Sequence, residues 1–261
     1  MTCKEPWLEM ESLEVWDNKN QIFSNLSLNL YKGENTILLG PNGAGKSAIV
    51  GLINRTIYPV HKNSSNFKLF GSKDINIWKM RSKIGLISTE IDQRISQIDN
   101  VKTIVGSGLD QTFTLRNKNI LQKKVLTDVL NRFSLLDISN KEYRYLSDGQ
   151  KRRVLIARAI IHKPEVLVLD EPTSKLDIKS KILLIKCLSK LALEGTTIVI
   201  ITHDINIVAK EYSRIVFLKE GRITEDGGQS DLLNSTKLSE LFEIKLKVEK
   251  HNKYLYLKEL C

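Results

Sequence analysis

Residues 40–47 read Gly40-Pro41-Asn42-Gly43-Ala44-Gly45-Lys46-Ser47, a glycine-rich turn that ends in an amine and a hydroxyl. Glycines let the backbone wrap closely enough for its N–H groups to face phosphate oxygens. A lysine at that place sets a cation on the outer phosphates of a nucleoside triphosphate, and the next serine offers its hydroxyl to Mg2+. The pattern GxxxxGKS has this meaning only after a strand and before a helix. Here the apolar run Thr36–Leu39 precedes it, and a helical pattern from Lys46 to Thr56 follows. That helix adds the positive end of its dipole. The expected phosphate contacts are therefore Asn42, Gly43, Ala44, Gly45, Lys46, Ser47 and Ala48. An incidental glycine turn is the alternative, and the flanking elements speak against it.

A second group narrows the chemistry. Val166-Leu167-Val168-Leu169 is followed by Asp170 and Glu171. Two carboxylates at the C-terminal end of a buried strand stand where α/β sheets bind ligands. Asp170 would join Ser47 in holding Mg2+, and Glu171, one residue further out, would orient or deprotonate a water near the terminal phosphate.

The elements that must position these groups are legible in outline. Thr36–Leu39, Val166–Leu169, Thr197–Ile201 and Ile215–Leu218 are short Ile/Val/Leu-rich runs bounded by turn residues or charges. They read as strands buried on both faces of a parallel sheet. Helical patterns lie between them, including Ser180–Leu193, where Ile182, Ile185, Leu188 and Ala192 fall at helical spacing ahead of Gly195. The fold class is α/β, a P-loop NTPase sheet core. Leu8–Trp16 and Gln21–Leu30 alternate like an N-terminal antiparallel β subdomain. From about Lys83 to His162 the chain has polar helical patterns, as in Asn119–Phe133, and few strand runs after the strand Ile84–Ile87, which predicts an inserted, mainly helical subdomain. Asp231–Phe242 reads as a helix. Ile244, Leu246 and Val248 then alternate with charges, and a turn at His251-Asn252-Lys253 leads into Tyr254–Leu257. One domain, 1–261, is thus expected: a core of 1–82 and 163–228, a helical insertion of 83–162, and a C-terminal helix and hairpin of 229–261.

Composition excludes several classes. The chain has 261 residues, 41% of them hydrophobic, and only 5 prolines, which is enough for one well-buried domain and unlike a disordered chain. No apolar stretch approaches the roughly 20 residues that span a bilayer. The start, MTCKEPWLEM, has no apolar segment, so no secretory signal is expected. Cys3, Cys187 and Cys261 have neither metal spacing nor a disulfide framework. The net charge of +10 favours anionic partners, yet the lysines are scattered without a block of five or six like charges. A solvated surface is the first reading, proximity to an anionic membrane face the second, and nucleic acid is not expected.

Between the two motifs stands Leu146-Ser147-Asp148-Gly149-Gln150, followed by Lys151-Arg152-Arg153 and the apolar stretch Val154–Ile161. This resembles the signature of ABC (ATP-binding cassette) ATPases. Glu171-Pro172-Thr173-Ser174-Lys175-Leu176-Asp177 is similar to that family's D-loop, and Thr202-His203-Asp204 to its switch histidine. The order matches, and so does the spacing: 23 residues from Ser147 to Asp170 and 33 from Asp170 to His203. The resemblance runs from about Leu8 to Gly228.

The resemblance implies an ATPase that works with ATP and Mg2+. Two cassettes, expected to be identical chains, would pack head to tail, each signature closing over nucleotide on the other's P-loop. Ser147, the backbone of Gly149, and Gln150 would touch the partner's nucleotide, with Asp177 at the same interface. Ser147 suits a helix N-cap, and a helix N-terminus suits an anion. Glu171 is carried over as general base, His203 as the sensor of the terminal phosphate, and Lys46 as the phosphate cation. Trp16, 24 residues before Gly40, would stack on adenine, with plain packing as its alternative. The pattern departs at Asp148, a glycine in the family, at Thr89, where a Gln is usual, and at Lys175, a small residue elsewhere. Glu90 and Gln93 are candidate replacements for the Gln.

The main expectation is the nucleotide-binding subunit of an ABC transporter, cytoplasmic and peripheral on the inner face of the membrane, driving a separate transmembrane subunit. The stretch from Lys83 to Asp148 would carry the docking surface. The tail with Leu238-Ser239-Glu240-Leu241-Phe242 is similar to those of importer ATPases for metal chelates and oxyanions. An ABC ATPase that moves no solute is the alternative. Repair-type members need a long coiled coil between P-loop and signature, and the 99 positions from Ser47 to Leu146 leave no room for one.

Overall fold

Side chains alternate across a strand, so a run that is apolar at every position must be covered on both faces. This decides the architecture. The computed structural model describes residues 5–109, 120–251 and 254–259. Its elements are, in chain order, β1 (Pro6–Asp17), β2 (Asn20–Tyr31), β3 (Thr36–Leu39), α1 (Lys46–Asn54), β4 (Asn66–Leu69), α2 (Ile77–Lys83), β5 (Ile84–Ile87), α3 (Thr89–Arg94), α4 (Val101–Ser107), α5 (Ile120–Arg132) and α6 (Asp148–Ile160). There follow β6 (Val166–Asp170), α7 (Ile178–Leu193), β7 (Thr197–Thr202), β8 (Arg214–Lys219), β9 (Arg222–Gly228), α8 (Gln229–Leu232), α9 (Ser235–Phe242), β10 (Leu246–His251) and β11 (Tyr254–Glu259).

The central sheet has the order β5-β6-β7-β3-β8-β9. Its strands are parallel except for the antiparallel pair β8–β9. Ile37, Leu39, Leu167, Leu169, Ile198, Ile200, Ile215 and Phe217 point into one core, shared with α4, α6 and α7. Leu38, Val166, Val168, Val199, Ile201, Val216 and Leu218 point into the other, shared with α1 and the N-terminal strands. Each such side chain contributes about 1.5–3 kcal/mol by burial. The N-terminal strands form the expected antiparallel sheet, in the order β2-β1-β4.

The structure corrects several boundaries. The strand read at Ile84–Ile87, which the expected domain division put in the helical insertion, belongs to the central sheet as its edge strand, paired with β6. The C-terminal helix is two helices: the Asn234 side chain accepts from Lys237 N at 3.0 Å and starts a new one. In α7 the buried stripe is Leu184, Leu188 and Leu191, and Ile182 faces solvent. The terminal hairpin forms, with His251 opposite Tyr254. Its turn residues 252–253, like Cys3 and Cys261, lie outside the described residues.

His162 follows α6 and has both ring nitrogens buried without a hydrogen-bond partner. Burial, with help from the Arg158 charge, lowers its pKa from 6.5 to about 4, against weak opposition from the backbone of Ile84 and Arg81. The folded state therefore keeps it neutral while an unfolded chain protonates it. Its contribution is complete above pH 6.5 and is lost as pH falls from there toward 4. The loss should reach about 3 kcal/mol. Thermal midpoints of wild type and His162→Gln at pH 7.5 and 4.5 should show a shallower pH dependence in the variant; parallel curves would count against this origin.

Candidate functional site

Strand order brings the chemistry together. β7 lies between β6 and β3, so the residues that end all three strands are neighbours: Leu39 is level with Thr202, and Asp170 with Ile201. The turn from Gly40 to Ser47 then wraps above β3. Gly40 N donates to Thr202 O at 3.2 Å, and Ala44 N to Pro41 O at 3.3 Å. Gly45 caps α1 with φ +102°, and a Cβ there would meet the Phe23 ring at 2.6 Å. Both facts demand glycine. The turn bounds a cavity of about 350 Å3 lined by Ile22, Asn42, Gly43, Gly45, Lys46, Ser47, Ala48 and Glu171.

Lys46 is 7% exposed, and its ammonium donates to Gly40 O and Pro41 O at 2.9 Å each. It also stands 3.5 Å from Glu171 Oε1. Glu171 accepts from Thr202 Oγ1 at 3.0 Å on its other oxygen, and His203 Nδ1 lies 2.9 Å from Oε1. The three residues expected to act in cleavage thus meet at one carboxylate. Thr202 is a fourth member that sequence reading left unassigned, although it stands in the motif Thr202-His203-Asp204. Glu171 has φ +44°, a left-handed conformation that a non-glycine residue holds at a cost of about 1–3 kcal/mol. Its N–H donates to Ile201 O at 2.8 Å, which extends the β6–β7 ladder past Asp170.

Asp170 is 8% exposed, and its Oδ1 has no hydrogen-bond partner. Burial, joined by the Glu171 charge, raises its pKa to about 6, while Lys46 and Arg152 pull the other way.

The signature residues form a separate place. Ser147 caps α6: Gln150 N donates to its hydroxyl at 3.3 Å, and Gln150 Oε1 accepts from Ser147 N at 3.0 Å. This reciprocal capping box satisfies two of the free N–H groups at the start of α6. Gly149 packs so near α7 that a Cβ would lie 2.3 Å from Ser180 Oγ. Ser147, Gly149, Gln150, Arg152 and Arg153 line a cavity of about 200 Å3. None of them lines the P-loop cavity, so the two clusters lie in separate cavities of the chain. Asp177 caps α7, accepting from Ser180 N at 2.8 Å and from Ser180 Oγ at 3.1 Å. Those bonds hold its carboxyl below the usual range.

Trp16 is 43% exposed, and its Nε1 donates to Glu14 Oε1 at 2.6 Å. It pairs across the strands with Gln21, next to Ile22 on the cavity wall. Thr89 is exposed at the start of α3, which Ser88 caps. Glu90 pairs with Arg94, and Gln93 is exposed.

The family described as ABC transporter matches residues 23–174. The energy-coupling factor transporter ATP-binding protein EcfA1 of Mycoplasma pneumoniae is 31% identical over 87% of this chain and 80% of its own length. The glutamine transport ATP-binding protein GlnQ of Escherichia coli K12 is 29% identical over 87% of this chain and 94% of its own. Among solved structures, CbiO1 of Clostridium perfringens, part of the transporter complex CbiONQ, gives a TM-score of 0.75 at 29% identity over 91% of this chain and 94% of that one. An inward-facing ABC transporter described as metal-chelate type gives 0.79 at 25% identity, covering 98% of each chain.

Proposed function

The chain belongs to the ABC transporter family, and from that premise we propose that it binds and hydrolyses ATP as the nucleotide-binding subunit of a transporter whose membrane-spanning part is a separate protein. The convergence of Lys46, Thr202 and His203 on Glu171 carries this reading.

ATP phosphates enter the cradle of residues 42–48, and Trp16 supplies a face for adenine at the cavity rim. The amides of the loop and the N-terminus of α1 receive the phosphate oxygens. Those oxygens compete with Glu171 for the Lys46 ammonium. Released from Lys46, Glu171 keeps Thr202 and His203 and accepts a proton from the attacking water. His203 steadies the water and the terminal phosphate.

The donor set fits Mg2+. A buried carboxylate with an unpartnered oxygen and a raised pKa is short of a cation, and Ser47 adds a hydroxyl. Among the described residues no three His, Cys, Asp or Glu side chains converge, so the remaining ligands would be water and phosphate oxygens, as magnesium commonly takes. Bound there, the ion would neutralise charge on the phosphates.

The separation of the two half-sites supports a head-to-tail pair of identical chains, in which Ser147, Gly149 and Gln150 meet the partner's nucleotide and Asp177 lies at the seam. Among the described residues no helix is long and apolar enough to cross a membrane. We place the subunit at the inner face of the membrane. The docking surface expected over 83–148 would extend to the adjoining α2, where Trp78 is 64% exposed. The neighbouring cavity is lined by Arg81, Ile84, Leu86, Arg94, Arg158 and His162.

Affinity purification of the tagged chain from membranes tests this reading. A polytopic membrane protein should accompany it, and recovery only of partners without spanning segments would overturn the transporter assignment. Trp78→Asp should reduce that recovery about tenfold or more, the effect of losing an aromatic anchor, with ATP binding intact.

A further inference from the structure

Helix α6 does two things within its first two turns. Its N-terminus carries Ser147 and Gly149, and one turn on it carries Arg152. The Arg152 guanidinium reaches back to the chain's own cleavage centre, where it donates to Glu171 O at 3.4 Å. It is largely buried, which lowers its pKa, and the charges of Asp92, Tyr143, Asp170 and Asp148 oppose that shift. Asp148 stands four residues earlier on the same helix face, where the pair is favourable. Asp92 comes from α3, which follows β5 at the same sheet edge. Its Oδ1 accepts from the Tyr143 hydroxyl at 2.6 Å. Tyr143 is fully buried, and burial pushes its phenol far above its usual value, so it remains a neutral donor. Tyr143 N donates to Asp99 O at 3.0 Å and Arg144 N to Gln97 O at 3.0 Å, which ties this segment to the chain after α3.

We propose that Arg152 is a positioning residue: its guanidinium holds the Glu171 carbonyl, so that the signature helix steadies the strained backbone of the cleaving carboxylate through one side chain. The physical need is clear. Glu171 occupies a strained backbone conformation, and such conformations persist only where neighbours over-determine them. A planar guanidinium presents its donors in a fixed fork, which a flexible ammonium does not. The inference rests on the reading of Glu171 as the base.

Steady-state ATP hydrolysis by the intact chain tests it, with kcat and KM separated. Because the phosphate cradle is untouched, Arg152→Met should lower kcat about tenfold or more while KM for ATP stays within about twofold. Arg152→Lys should recover part of that loss. Unchanged kcat in Arg152→Met would overturn the proposal. If Arg152→Met does not fold, Arg152→Gln in the same assay decides, and undiminished kcat refutes the role. Glu171→Gln in the same assay separates the two readings: if it abolishes turnover while Arg152→Met is normal, only the role of Arg152 fails.

Discussion

Glu171→Gln should bind ATP normally, turn it over on the order of 100- to 1,000-fold more slowly, and accumulate as a nucleotide-bound dimer. The substitution is nearly isosteric. A carboxamide oxygen still accepts the Thr202 hydroxyl, now 3.0 Å from Oε2, so the strand end and the cradle should keep their places. What disappears is proton affinity. A loss of this size corresponds to about 3–4 kcal/mol of barrier, the usual contribution of a well-placed base. Phosphate release reads the rate, and size-exclusion chromatography with Mg-ATP reads the dimer. Unchanged turnover would remove Glu171 from its role.

Lys46→Ala should lower ATP binding and hydrolysis together, by on the order of 100-fold or more. Lys46 is the cation buried at the cavity floor, 2.9 Å from two loop carbonyls. Truncation deprives the phosphates of a charge and leaves those carbonyls and Glu171 without their donor. Some stability is lost too, since uncompensated buried polar groups cost about 1–3 kcal/mol each. Nucleotide binding at a temperature well below the variant's thermal midpoint separates the effects. A folded Lys46→Ala protein with full activity would contradict the cradle assignment.

The two variants probe different kinds of information. The cradle is made of consecutive residues, and its shape follows from backbone conformations such as φ +82° at Gly43 and +102° at Gly45. Local chemistry of that kind is written in the chain and was legible there, as were the buried strands, because their composition already demanded cover on both faces. Elements on the margin were less legible. The break between α8 and α9 turns on Asn234, whose capping competes with helix continuation. The stripe of α7 was misplaced because Ile182 and Leu184 fit helical spacing equally well, and the neighbours decide which is covered.

By itself, then, the sequence determined the family, the identity of the phosphate-binding loop, and the residue types available for cleavage. The tertiary structure decided how those residues meet. Placing β7 between β6 and β3 sets Thr202 and His203 against Glu171 and Lys46, which are 125 positions apart in the chain. It also left the signature helix in a different cavity from the cradle and aimed Arg152 at Glu171. The reason is that hydrogen-bonded strand order and helix packing act between segments remote in sequence. No local pattern encodes which strand lies beside which.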